Sequence, residues 1–445
     1  MQHSPFIILP EWVATIDADD TVLTQSAVVV QEGKILAITP RNEAFQRYPD
    51  MTRIERPGHL LSPGFINTHT HAAMSLMRGF ADDMPLQSWL NDHIWPAEGK
   101  WVSPEFVYDG ALLSCHEMLL GGTTLFNDMY FFPEATARAA QSIGMRANIG
   151  IIVIDFPSAY GTGPDDYLRK GFALRDKYLD DTNVGFTLAP HAPYTVSDEA
   201  FKRIKILSEE LELQVHIHLH ETAFEIDESI RHHGIRPLQR MANLGLIGPN
   251  LLAVHVVHLN TEEIRTLKDN NCSVAHCPHS NLKLGSGIAP IGALMDAGVN
   301  VAVGTDGSAS NNRLDMLGET RTAALLAKGY THNPEQFSAK QALHAMTMGG
   351  AKALGREKEL GSIEPGKLAD LITIDLSQPQ MQPVFDPVSQ LIYSADRSQV
   401  GDVWIGGRLV AHKQRLIETS AQTAVAAVVS RIGVWQNRLS DVVDH

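Results

Sequence analysis

The pattern of apolar and polar positions changes character twice along the chain. Residues 5–60 read as β structure. Phe6-Ile7-Ile8-Leu9 is a short apolar run. Ala27-Val28-Val29-Val30 and Lys34-Ile35-Leu36-Ala37-Ile38 flank Gln31-Glu32-Gly33, a hairpin signal. No helix-period segment interrupts them, so a small antiparallel sheet is predicted here. From about residue 63, short β-rich runs alternate with helix-like stretches. The runs cover 64–68, 123–129, 146–153, 184–190, 214–220, 251–258, 272–278 and 299–304. Segments of 3.6-residue period lie between them. One is Phe106-Val107-Ala111-Leu112-Cys115-Met118-Leu119, closed by Gly121-Gly122. Another is Phe201-Ile204-Leu207-Leu211, with Ser197 or Asp198 as N-cap.

Eight strand runs with helical connections predict an α/β fold, a (β/α)8 barrel. An open doubly wound sheet is the alternative, but no Gly-rich fingerprint follows the first strand. After about residue 355 the chain is β-like again, at Leu371-Ile372-Thr373-Ile374 and Val403-Trp404-Ile405. The economical architecture is a barrel with a small β-sandwich domain built from both chain ends. Residues 1–62 and 356–420 form that β domain, 63–355 the barrel and 421–445 a terminal helix.

Composition narrows the class. The chain has 445 residues, 44% hydrophobic and 20% charged, as in soluble globular proteins. A formal net charge of −15 without a long Lys/Arg cluster argues against nucleic acid as a partner. No signal peptide and no bilayer-spanning apolar stretch are evident, so no membrane is expected. Three cysteines are too few for a disulfide scaffold and suit a reducing cytoplasm. Twenty histidines make a histidine-built site worth seeking.

Barrel chemistry sits at the C-terminal ends of the strands. Strand one ends in His69-Thr70-His71, strand four in His191, and strand five in His216-Ile217-His218-Leu219-His220-Glu221. Strand six brings His255 and His258, and strand eight Gly304-Thr305-Asp306-Gly307. Packing alone would place Val, Ile and Leu there. A hydrolytic metal needs three or four N/O ligands and an open position for water, whose pKa zinc lowers to about 7. His69, His71, one strand-five histidine and Asp306 satisfy this. Glu221 is placed to carry a proton between water and substrate, and Asp306 to accept the water's proton.

These motifs resemble the amidohydrolase superfamily in its mononuclear aminohydrolase branch. The likeness rests on Pro63-Gly64-Phe65-Ile66-Asn67-Thr68-His69-Thr70-His71, on His216-Ile217-His218 with Glu221, on His255 and on Gly304-Thr305-Asp306-Gly307. It extends to Gly361-Ser362-Ile363-Glu364-Pro365-Gly366-Lys367 and the residues that follow. The resemblance implies His218 as the third histidine ligand and His255 as a residue that orients or deprotonates the attacking water. Binuclear members use a carboxylated lysine from strand four. The run 184–190 has no lysine, so one metal ion is expected. Zn²⁺ suits three imidazoles and a carboxylate, although Fe²⁺ or Mn²⁺ fit the same donors.

The segment from Ala72 to Asp83, with Trp89-Leu90 and His93-Ile94-Trp95-Pro96-Ala97-Glu98, resembles 5′-methylthioadenosine/S-adenosylhomocysteine deaminases. By that resemblance Glu98 holds the ribose hydroxyls, Trp89 packs near the nucleoside and His191 contacts the purine. Attack then falls at C6 of adenine, and Glu221 protonates N1 as ammonia leaves. The resemblance also implies a homo-oligomer, a dimer or tetramer, and a place in purine or methylthioadenosine salvage. One departure bears on substrate. The family places an arginine a few residues beyond Arg146, but Ala147-Asn148-Ile149-Gly150-Ile151-Ile152 is without a basic residue. Neutral methylthioadenosine or adenosine is therefore expected over S-adenosylhomocysteine.

Several motifs read more plainly. Cys272, His276, Cys277 and His279 lack the spacing of a zinc finger and mark the end of strand seven, with Ser280 and Asn281 at the mouth. His216, His220 and His258 read as barrel or packing residues. Gly361 to Lys367 is a turn, with Leu368 where a P-loop needs Ser or Thr. Deamination of guanine or a pterin, or dechlorination of a triazine, would use the same metal site. A catalytically dead scaffold would be expected to lose ligands, and all are present.

Overall fold

The structure is a computed structural model that describes residues 4–443. Eight parallel strands run Phe65–Thr70, Thr123–Asp128, Arg146–Val153, Val184–Pro190, Val215–Leu219, Leu251–His255, Ser273–His276 and Asn300–Val303. Each pairs with the next in chain order. Nearly all their residues are buried, which is why they read as continuous apolar runs rather than alternating ones. Helices cover the outside, among them Pro104–Leu120 and Asp198–Leu211, the latter capped by the Ser197 hydroxyl.

Strands eight and one close the barrel without a regular ladder. Thr68 Oγ1 donates to Val303 O at 2.8 Å, and the Asp306 amide donates to His69 O at 3.0 Å. The approach is so close that a Cβ on Gly304 would lie 2.9 Å from His69 Cβ, so only glycine fits.

Strands two, five, six, seven and eight end sooner than the apolar pattern suggests, and for five and six the backbone shows why. Strand five stops at Leu219 because His220 turns left-handed at φ +57°. Strand six stops at His255, where His255 and Val256 have φ +72° and +43°. The N-terminal region also contains one short helix, Arg41–Arg47, that was not expected. It buries only Ala44, too little apolar periodicity to register in sequence.

Both chain ends build one nine-stranded mixed sheet. Its centre is the long strand Thr52–Pro63, parallel to Phe6–Ala14 on one side and antiparallel to Leu371–Asp375 on the other. Phe6 and Trp404 lie on strands three steps apart, on the order of 14 Å in a flat sheet. Their rings nevertheless stack at 6.3 Å, so the sheet folds over on itself as a sandwich. The terminal helix, Thr419–Val443, is tied to the barrel at Asp109, which accepts from Arg431 Nε and Trp435 Nε1, both at 2.9 Å. Among the described residues no helix is long and apolar enough to cross a membrane.

The barrel floor and the folded sheet share one buried ion pair. Arg146, at the start of strand three, donates Nε to Asp370 Oδ2 at 2.6 Å and Nη2 to Oδ1 at 3.0 Å. Asp370 also accepts the Gly406 amide. Removing one partner leaves the other charge buried and alone. Arg146→Ala is expected to lower unfolding free energy by about 3–5 kcal/mol in urea denaturation, while leaving metal content unchanged.

Candidate metal centre and substrate cavity

At the open end of the barrel, four donors from three elements meet. His69 is the fifth residue of strand one, and His71 is the first residue past it. Their Nε2 atoms each lie 3.2 Å from Asp306 Oδ1, and His218 Nε2 lies 3.2 Å from His69 Nε2. The ring edges facing away are occupied. His71 Nδ1 donates to Met129 O at 2.6 Å, and His218 Nδ1 to His191 O at 2.7 Å. A carbonyl can only accept, so the neutral forms of both rings turn an Nε2 lone pair inward. His69 Nδ1 meets His216 Nε2 at 2.8 Å.

Asp306 is held on every side. Ser280 Oγ and Ser310 Oγ donate to its Oδ2 at 2.6 and 2.8 Å, and the Gly307 amide donates to Oδ1. Its backbone sits at φ +59°, strain of about 1–3 kcal/mol that the surrounding bonds must hold. Burial works against its charge, yet His69 and His71 keep its carboxyl well below the usual range. Burial lowers His69 to about 4 and His218 well below the ordinary imidazole range, so both are neutral donors. His71 is raised to about 9 against burial by Asp306. The carboxylate thus draws positive charge to the point where the nitrogens converge.

Glu221 and His255 flank this cradle. His255 Nδ1 donates to Asn281 Oδ1 at 2.9 Å, which leaves its Nε2 facing Glu221 Oε2 at 3.8 Å. Burial raises the Glu221 carboxyl above its usual value. His255 also belongs to a second close group, with His69 and His218, whose nitrogens lie within 4.8 Å of one another.

A cavity opens from the cradle. His71, His218, Glu221 and Asp306 form its floor, with His191 on the wall. Its roof is the segment after strand one, which carries Trp89 and Glu98. In an unbroken α-helix the nine-position step from Trp89 to Glu98 makes roughly two and a half turns, so the two would point apart. Trp89–Ile94 is instead a π-helical turn, whose wider winding brings both into the cavity. Tyr130 donates its hydroxyl to Glu98 Oε1 at 2.7 Å. Burial pushes the Glu98 carboxyl up to about 7, against that hydrogen bond. The roof is pinned by Lys283, which donates to Asp82 Oδ1 at 2.6 Å and Ala309 O at 2.9 Å.

The other histidines are engaged elsewhere. His216 lies beneath the cradle, its Nδ1 on Asn127 at 3.0 Å. His220 Nε2 accepts the Leu238 amide and its Nδ1 donates to His258 O. His258 Nε2 donates to Ser286 O. Among the described residues, Cys272, His276, Cys277 and His279 form no metal-capable group. Ser280 and Asn281 do not line the cavity mouth, as the sequence suggested. They hold Asp306 and His255 from behind. Ser310 and Tyr130 had no sequence signal, since each is recognisable only by the carboxylate it meets.

The amidohydrolase family profile matches residues 60–410. The chain belongs to the amidohydrolase family. A relative in Teredinibacter turnerae, named 5-methylthioadenosine/S-adenosylhomocysteine deaminase, is 45% identical over 428 residues, 96% of each chain. The crystal structure of an adenosine deaminase from Xanthomonas campestris with bound zinc superposes with a TM-score of 0.95. It is 44% identical and covers 98% of this chain and 99% of that one. Atrazine chlorohydrolase from Arthrobacter aurescens complexed with zinc is 26% identical, with a TM-score of 0.88 over 96% of this chain and 100% of that one.

The donor set of this amidohydrolase fits a divalent cation. His69, His71 and Asp306 lie close enough together to hold one ion, both imidazole nitrogens 3.2 Å from the carboxylate oxygen, and His218 joins them through His69 at 3.2 Å. Metal analysis of purified variants should separate the roles. His71→Ala and Asp306→Ala are expected to lose more than about 10-fold in metal affinity, since even an outer partner costs that much. His258→Gln, whose ring only bonds a backbone carbonyl, is expected to retain the metal.

Proposed function

We propose that the protein hydrolytically deaminates a 6-aminopurine nucleoside, 5′-methylthioadenosine or adenosine, to the inosine-type product and ammonia. The observation that carries this reading is a four-donor cradle and a proton-holding Glu221 on the floor of a cavity whose roof presents Glu98. The names of the relatives at 45% and 44% identity point the same way.

His69, His71, His218 and Asp306 would hold one Zn²⁺. Bound there, the ion lowers the pKa of water to about 7 and so supplies hydroxide at neutral pH. Asp306 and His255 stand ready to accept the water's proton, and Glu221 to deliver one to purine N1. A carbonyl develops at C6 while the amino group leaves as ammonia, so one water is consumed for each ammonia released. His191 contacts the purine and Trp89 packs beside the nucleoside. Glu98, ionised, accepts from both ribose hydroxyls, a geometry suited to a vicinal diol.

The side of the cavity beyond the ribose grip favours a neutral 5′-substituent. Ile152, Ile154, Phe156 and Pro157 line it, and no lysine or arginine does among the described residues. Arg146, the one cation of strand three, is committed to Asp370 at the opposite end of the barrel. A homocysteine carboxylate would therefore find no partner, and S-adenosylhomocysteine is the poorer substrate in this reading.

Ammonia release from 5′-methylthioadenosine, adenosine, S-adenosylhomocysteine, adenine and guanine tests this directly. Turnover of the first two, with kcat/KM at least about 10-fold above S-adenosylhomocysteine, is expected, and Glu98→Ala should abolish the preference for nucleosides over free bases. Turnover of free bases alone would discard the nucleoside reading and favour a guanine-type or triazine-type substrate.

The Glu98 carboxyl adds a pH signature. Its value is raised to about 7, so the form that accepts ribose hydroxyls predominates above that pH and is lost below it. The kcat/KM profile for a nucleoside is expected to fall as pH drops through about 7, and Glu98→Gln should make that limb shallower, leaving the part due to metal-bound water, while retaining the pH dependence of kcat.

A further inference from the structure

We propose that Glu225 is a positioning residue that sets the aim of Glu221, an inference that rests on the deamination reading. Glu225 is the third residue of the helix Ala223–His233 and is 3% exposed. At this position a glutamate ordinarily reaches back to the amide of its own N-cap residue. Here the N-cap is Thr222, whose hydroxyl accepts the Glu225 amide, yet the carboxylate bypasses the Thr222 amide. Its Oε1 accepts the His220 amide at 2.9 Å and its Oε2 the Glu221 amide at 2.8 Å.

Those two amides frame the sharpest turn at this strand end. His220 is left-handed at φ +57°, a conformation unfavourable for a residue with a side chain. Its imidazole is fixed between the Leu238 amide and His258 O, and its carbonyl accepts the His258 amide. Glu225 supplies the remaining constraint, on the N–H groups. The direction in which Glu221 leaves the backbone, toward His255 and the cradle, follows from that turn. Burial pushes the Glu225 carboxyl up to about 8, while the two amides favour its anion. With two donors and no acceptor around it, the geometry is that of the ionised form.

Glu225→Gln offers an N–H where an acceptor is needed, and Glu225→Ala offers nothing. With 5′-methylthioadenosine or adenosine, each is expected to lose about 10- to 100-fold in kcat, with KM within about threefold and metal content unchanged. In a Glu221→Ala background, Glu225→Ala should add no further loss, because Glu225 acts only through Glu221. Full loss in both backgrounds, or parallel loss of kcat, KM and metal, would overturn the proposal. A crystal structure of Glu225→Ala decides it without any assay. Displacement of the Glu221 carboxyl from His255 supports the role, and an unmoved carboxyl refutes it. Absence of ammonia release by the wild-type protein would instead defeat the deamination reading, with the crystallographic outcome still deciding Glu225.

Discussion

The buried charge of Asp306 is the constraint on which the rest of the site depends. A carboxylate this deep is tolerable only if hydrogen bonds and opposite charge surround it. Two serine hydroxyls and a backbone amide occupy part of its surface, and the imidazoles of strand one face the remainder. The residue that meets this need also completes the barrel, because its amide bonds His69 O and its carbonyl accepts from Thr70. The seam between first and last strands and the cation-attracting corner are therefore one structure. Disturbing either disturbs the other.

Much of the fold was legible because burial dictated the pattern. Strands three and four were bounded correctly from apolar runs alone, since both faces are covered and every position had to be apolar or small. Strands five and six were read too long. Their final residues are apolar or histidine, as a strand end would be, but a left-handed turn has no signature when a non-glycine residue adopts it. The short helix after residue 40 was missed because its single buried residue gives no period.

At the site, strand alternation placed His216, His218 and His220 on one face but could not rank them. Depth separates them. His216 sits a layer below under His69, His220 lies past the strand in a turn, and His218 is level with the cradle. Register likewise decided Arg146, whose place at the first residue of its strand sends it to the barrel floor rather than the mouth. The pairing of Trp89 with Glu98 was visible only by resemblance. Their spacing opposes them on an ordinary helix, and a π-helical turn is not written in residue types.

The roof segment begins at a metal-cradle histidine, His71, and ends at the carboxylate that crowns the cavity, Glu98. Between them it is moored to Lys283, the last residue of the short helix Pro278–Lys283 beyond strand seven. It also has an apolar cluster of its own, in which Ile94 and Ala97 pack with Val107 and Trp435. The segment over the cavity thus rests on a cluster shared with the first barrel helix and the terminal helix, apart from the clusters that fill the strands. In the deamination reading, substitutions in that segment would retune what is recognised while the hydrogen bonds around Asp306 stay as they are.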